Sequence, residues 1–130
     1  MILIKAQVKG EPDVPLFSRV YEYRDKFDEQ IFFDSLEKIK NKLAKNMRIN
    51  TNESLIFYCG YIVDQLRAHI SIESIEKNAA KLLLPNNVMI GVPETLKRIS
   101  FELVLDNFPK KKLSFHNPIP TTSFSMAVDR

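Results

Sequence analysis

The side chains that most invite a chemical reading are two imidazoles, His69 and His116, one thiol, Cys59, and the carboxylate of Glu94. A zinc centre takes four nitrogen, sulfur or oxygen ligands, and two histidines with one cysteine cannot fill it without borrowed carboxylates. Neither H-x-x-x-H nor C-x-x-C occurs, and there is no G-x-S-x-G and no dinucleotide fingerprint. With three glycines in all, the chain can barely build a phosphate-cradling loop. A two-metal hydrolase needs several inward histidines and carboxylates holding ions roughly 3.5–4 Å apart, more than this chain supplies. Cys59 stands among Phe57, Tyr58 and Tyr61 with no histidine at helical spacing, the setting of a buried, inert thiol. Glu94 follows Val92-Pro93 and reads as a first-turn carboxylate favoured by the helix dipole rather than a general base. His69 suits a helix C-terminus for the same electrostatic reason. His116 is either a ligand or interface donor, or a strand-end histidine pairing with backbone groups. The expectation is a chain with no catalytic residue and no metal ligand of its own.

The elements that hold these residues follow from hydrophobic spacing. Residues 2–8 alternate loosely through Ile2, Ile4, Ala6 and Val8, a weak strand signal, and Gly10, Pro12 and Pro15 then read as the start of a Pro-containing linker. From Asp28 the period becomes helical, with Phe32, Leu36, Ile39, Leu43 and Met47 on one stripe. Asn50 and Glu53 have the spacing of a capping box opening a second helix, apolar nearly all round and hence central. Ser71 caps a third helix with Ile72, Ile75, Ala79 and Leu82 inward, and Pro85 begins a short helical turn. Gly91 supplies a backbone angle closed to other residues. Residues 99–105 and 112–116 read as strands joined by a polar turn. The fold class is α+β: a bundle of three to four helices followed by an antiparallel β-hairpin. A hairpin alone is marginal in water, so this one must pack on the helices or pair with another strand.

A chain of this length suits one domain. No apolar run approaches the length needed to span a bilayer. The single cysteine and the absence of a basic, apolar leader point to the cytoplasm. The net charge of +3 is clustered, with Lys38, Lys40, Lys42, Lys45 and Arg48 uninterrupted by acids and a second run at Lys110-Lys111-Lys112. Such runs are usually solvated faces, and without a motif or interleaved aromatics they do not make a nucleic-acid site. Phe17, Tyr21 and Tyr23 near one end, with Phe124 and Met126 near the other, are too apolar for free tails and are expected to dock on the domain or on a partner.

The last third carries a specific pattern. Val88-Met89-Ile90-Gly91-Val92-Pro93-Glu94 leads through the hairpin to His116-Asn117-Pro118-Ile119. This resembles the urease gamma-subunit family, in which a V-M-x-G-V-P-E turn precedes two strands ending in H-[ND]-P-I. Upstream, Leu43-Ala44-Lys45-Asn46-Met47-Arg48-Ile49-Asn50 is similar to the family's L-A-R-G-L-K-L-N, and Glu53 falls where the family has its glutamate. The resemblance covers residues 25–120, leaving 1–24 as an N-terminal extension and 121–130 as a tail. The chain departs from the pattern at Asn46, where the family has glycine, across Asp64 to Ile70, where it has G-A-R-D-G, and in a turn at Asp106 to Lys110 that is one residue longer.

The resemblance implies a structural subunit without catalytic residues. Urea hydrolysis and the nickel ions would belong to a partner alpha subunit, and alpha and beta subunits would be its partners in a trimer of heterotrimers. It also implies that Val88, Met89, Gly91, Val92, Pro93, Glu94, His116, Asn117, Pro118 and Ile119 serve fold and assembly. The alternative is a stand-alone relative, self-associating or binding an acidic partner or nucleic acid through Lys38, Lys42, Lys45 and Arg48.

Overall fold

The computed structural model describes residues 1–10 and 12–120. Its elements run β1 (Ile2–Lys9), β2 (Pro15–Tyr23), α1 (Lys26–Ala44), α2 (Thr51–Arg67), α3 (Ile72–Asn78), two short 3₁₀ turns (Ala79–Lys81 and Pro85–Asn87), α4 (Val92–Thr95), β3 (Arg98–Leu105) and β4 (Lys111–His116). This is the expected α+β order of helices and a terminal hairpin, with two more strands in front. The four strands form one antiparallel sheet in the order β2-β1-β3-β4.

The added strands correct the reading of residues 1–24. The alternation at Ile2, Ile4, Ala6 and Val8 marks a central strand, whose inward side chains are at most 1% exposed. The stretch read as a linker is β2, antiparallel to β1 from Ile2↔Tyr23 to Val8↔Phe17. Pro15 is compatible with it because it stands first in an edge strand, where its missing N–H breaks no necessary ladder bond. Phe17, Tyr21 and Tyr23 pack against the core from β2, so these aromatics dock on their own domain. Phe124 and Met126 lie outside the described residues.

The helices cover one face of the sheet. Phe32, Leu36 and Ile39 of α1 are buried, and α2 buries nearly its whole length, as an all-round apolar helix must. The capping box is present: Glu53 N–H donates to Asn50 Oδ1 at 2.8 Å, and Asn50 N–H to Glu53 Oε1 at 3.0 Å. Ser71 caps α3, accepting from Ser74 N–H at 3.2 Å. The stripe assigned to α1 ends early, however. Asn46 adopts φ 60°, its N–H bonding Leu43 C=O and the N–H of Met47 bonding Lys42 C=O. This left-handed C-cap stops the helix, and Met47 lies beyond it, 49% exposed, instead of on the buried face.

Candidate assembly surface

The segment from Val88 to Glu94 is a braced turn. Ile49 and Val88 form a lone parallel bridge, Ile49 N–H donating to Asn87 C=O at 3.0 Å and Met89 N–H to Ile49 C=O at 2.9 Å. Gly91 then takes φ 92°, the left-handed region that glycine enters without a Cβ penalty. Val92 N–H closes the turn on Met89 C=O at 3.1 Å, and both the N–H and Oγ1 of Thr95 bond Gly91 C=O, at 3.0 and 2.9 Å. Pro93 sits in the first turn of α4, where its missing N–H costs nothing.

Burial divides the motif in two. Val88, Val92 and Pro93 are buried anchors. Met89 is 46% exposed and Ile90 94% exposed. The anchors fix the backbone so that two apolar side chains stand outward. Two further exposed apolar residues are close in sequence: Met47, two residues before the bridge, and Leu84, beside the 3₁₀ turn that leads into it. A groove of about 460 Å³ runs here between Arg48, Pro85, Ile90 and Glu94, with a cation and an exposed carboxylate among its lining residues.

The second motif divides the same way. His116 and Asn117 are exposed at the end of β4, while Pro118 and Ile119 are buried. Asn117, at φ 48°, turns the chain inward and donates its N–H to Lys97 C=O. His116 lies across from Arg98 in the strand register and lines a polar cleft with Asp13, which pairs with Arg98 at 3.2 Å. This cleft shares no lining residue with the Ile90 groove, so the two motifs mark separate places.

The basic residues have different surroundings. Lys38 and Lys45 are exposed, but Lys42 is bonded to Glu53, and Arg48 belongs to the Ile90 groove. Cys59 is fully buried, and burial pushes its thiol pKa far up, away from thiolate reactivity. Among the described residues, no three His, Cys, Asp or Glu side chains gather closely enough to hold a metal ion.

One polar cluster had no sequence signal. Arg67, at the end of α2, pairs with Glu29 of α1 and with Asp106 just after β3, each at 3.0 Å. Hydrogen bonds from Arg67, opposed by partial burial, hold the Asp106 carboxyl below its usual range. For Glu29, burial pushes upward, but bonds from the N-terminal ammonium and Arg67 prevail and lower it. These partners lie 38 and 39 residues apart, beyond any local pattern.

Known proteins match most of this sequence. The family model described as "Urease, gamma subunit" matches residues 27–119. The urease subunit gamma of Laribacter hongkongensis is 27% identical over 92 residues, covering 71% of this chain and 91% of that protein. That of Halalkalibacterium halodurans is 29% identical over 94 residues, covering 70% and 91%. Protein p59 of Lettuce infectious yellows virus is 33% identical over a stretch covering 91% of this chain. The chain spans only 27% of the length of p59.

Proposed function

Since this chain belongs to the urease gamma-subunit family, we propose that it is a non-catalytic assembly subunit of a urease-type nickel amidohydrolase. The observation that carries this reading is the braced turn at Val88–Glu94, which spends three buried residues on holding Met89 and Ile90 outward. A large apolar side chain 94% exposed on a rigid turn is suited to an interface core. The Arg48 and Glu94 charges beside it would fix orientation at the rim. On this reading the nickel ions and the hydrolysis of urea belong to a partner alpha subunit. This chain would bury surface on alpha- and beta-type subunits and keep the larger assembly rigid.

The test is co-expression of the tagged chain with urease-type alpha and beta subunits, followed by affinity capture and nickel analysis. A stable complex containing nickel and hydrolysing urea is the expected result. Recovery of the chain alone, from cells making all three, overturns it.

A second reading has its own support. The similarity to p59 covers all but about a tenth of this chain, so it reaches β2, which the gamma-subunit match does not. A similar stretch thus occurs inside a much longer protein, which favours an interaction module that works apart from a urease. The same capture experiment separates the two readings.

A further inference from the structure

The part of this chain that matches urease gamma subunits stops short of one edge of the sheet. In the Laribacter protein the match takes in 91% of its length. The small remainder is too short for strands of eight and nine residues with their turn. The shared part, residues 27–119, therefore contains β3 and β4 only. In this chain β1 lies along the free side of β3 in unbroken register, from Ile2↔Leu105 to Lys9↔Arg98. Asp106 N–H donates to Met1 C=O at 2.8 Å and carries the ladder one step further. Every second residue of β1 enters the core, where the strand touches α2. By contrast β2 is a largely exposed outer strand, with Val20 68% exposed. Ser18, Arg19, Val20, Glu22, Arg24 and Asp25 are all exposed, so the connection from β2 to α1 is open to cleavage.

We propose that the β3 edge, with α2 beneath it, is a strand-acceptor groove that this chain fills in cis with β1. The groove recognises an extended segment through main-chain hydrogen bonds and a row of small-to-medium apolar side chains at alternate positions, the chemistry of strand addition. A partner offering such a strand must compete with β1. The intact chain thus closes the β3 edge that residues 27–119 leave open, and the outer edge of the sheet becomes β2. This goes beyond the assembly role and stands without it, because the groove is a property of the chain alone.

The test uses the full chain with a protease site placed between Arg24 and Asp25. The folded protein is cut, unfolded in urea, and refolded with a tenfold excess of labelled peptide comprising residues 1–24. The expected result is one labelled peptide per core, with the thermal transition of the uncut chain restored. A peptide carrying Ile4→Asp, which places a carboxylate in a fully buried position, should bind about 100-fold more weakly. The uncut chain should take up no peptide. Refolding of the core to the same thermal midpoint without peptide overturns the proposal. So does a core that the peptide fails to restore, or one that takes up both peptides equally. No other subunit is present, so the outcome is independent of whether the chain joins a urease.

Discussion

Asn46 and His69 stand at matching places, each the left-handed residue that ends a long helix, at φ 60° and 61°. Both positions suit glycine, but the two replacements differ in what they lose. Asn46 is exposed and needs only its backbone angle, so Asn46→Gly should stabilise by ~0.5 kcal/mol, whereas Asn46→Ala, with no polar side chain to ease that angle, should cost ~1 kcal/mol. Urea unfolding midpoints measure both, and a Gly variant no more stable than the Ala variant refutes the cap assignment. His69 also meets the Phe108 ring edge-on at 5.7 Å, so a glycine there loses a contact while relieving the backbone. Tyr58 is a different case. Its side chain is fully buried against Phe115, and among the described residues nothing hydrogen-bonds its hydroxyl. A buried, unpaired hydroxyl is a standing cost. Tyr58→Phe should therefore leave the thermal midpoint unchanged or raise it, by up to about 1 kcal/mol of stability; a loss above that would reveal a partner for the hydroxyl.

Between elements, α1 and α2 approach closely at Gly60. A Cβ built on Gly60 would collide with the side chain of Leu36, itself only 3% exposed. Leu36 must shift, and the cleft of about 150 Å³ that Leu36 and Gly60 both line takes up part of the strain, so Gly60→Ala should cost about 1 kcal/mol through overpacking, partly offset by alanine's better helix propensity. An unchanged thermal midpoint would mean that the crossing adapts freely. The Arg67 cluster ties the end of α2 to α1 and to the end of β3, and it should depend on pH. The folded pKa values of Asp106 and Glu29 are depressed. Their contribution is therefore complete above the unfolded values of about 4 and fades as pH falls through the lower folded values. Arg67→Met should lower stability at pH 7 by ~0.5–1 kcal/mol, the range of a screened pair. That gap should narrow below about pH 4; a gap constant from pH 7 to pH 3 excludes the ion pairs as its source. The helices around this cluster were legible because periodicity and caps are local: Asn50, Ser71 and Pro85 each announce a terminus by their own chemistry. β2 was hidden because Pro12 and Pro15 look like breakers, and an edge strand facing solvent has little alternation to display. That β1 is central, rather than a peripheral extension, depends on pairing with residues about a hundred positions away, which no window along the chain contains.

For the whole molecule, the decisive property is which apolar surface is left outside after the fold has formed. The exposed large hydrophobic residues fall mainly into two stretches. Val14, Leu16, Val20, Phe27 and Ile31 belong to the sheet edge and the start of α1, and Met47, Leu84, Met89 and Ile90 surround the braced turn. The second set lies wholly within the part shared with urease gamma subunits, whereas three of the first lie before it. The motif's spacing showed in the sequence, but the split between anchors and exposed residues did not, because Val88, Ile90 and Val92 are chemically alike and only the bridge to Ile49 and the left-handed Gly91 decide which turn inward. Two substitutions separate the roles. Ile90→Asp removes the most exposed apolar side chain without touching the core, so the thermal midpoint should stay within the ±0.5 kcal/mol typical of surface changes. Capture of alpha- and beta-type subunits should fall by at least about tenfold if Ile90 anchors the interface, an effect of about 1.4 kcal/mol. Val92→Ala, by contrast, should lower the midpoint through a core cavity and weaken capture only as far as the turn loses its shape. An Ile90→Asp variant that is stable and captures its partners undiminished would move the assembly surface away from this turn, leaving the exposed edge of β2 as the next place to look.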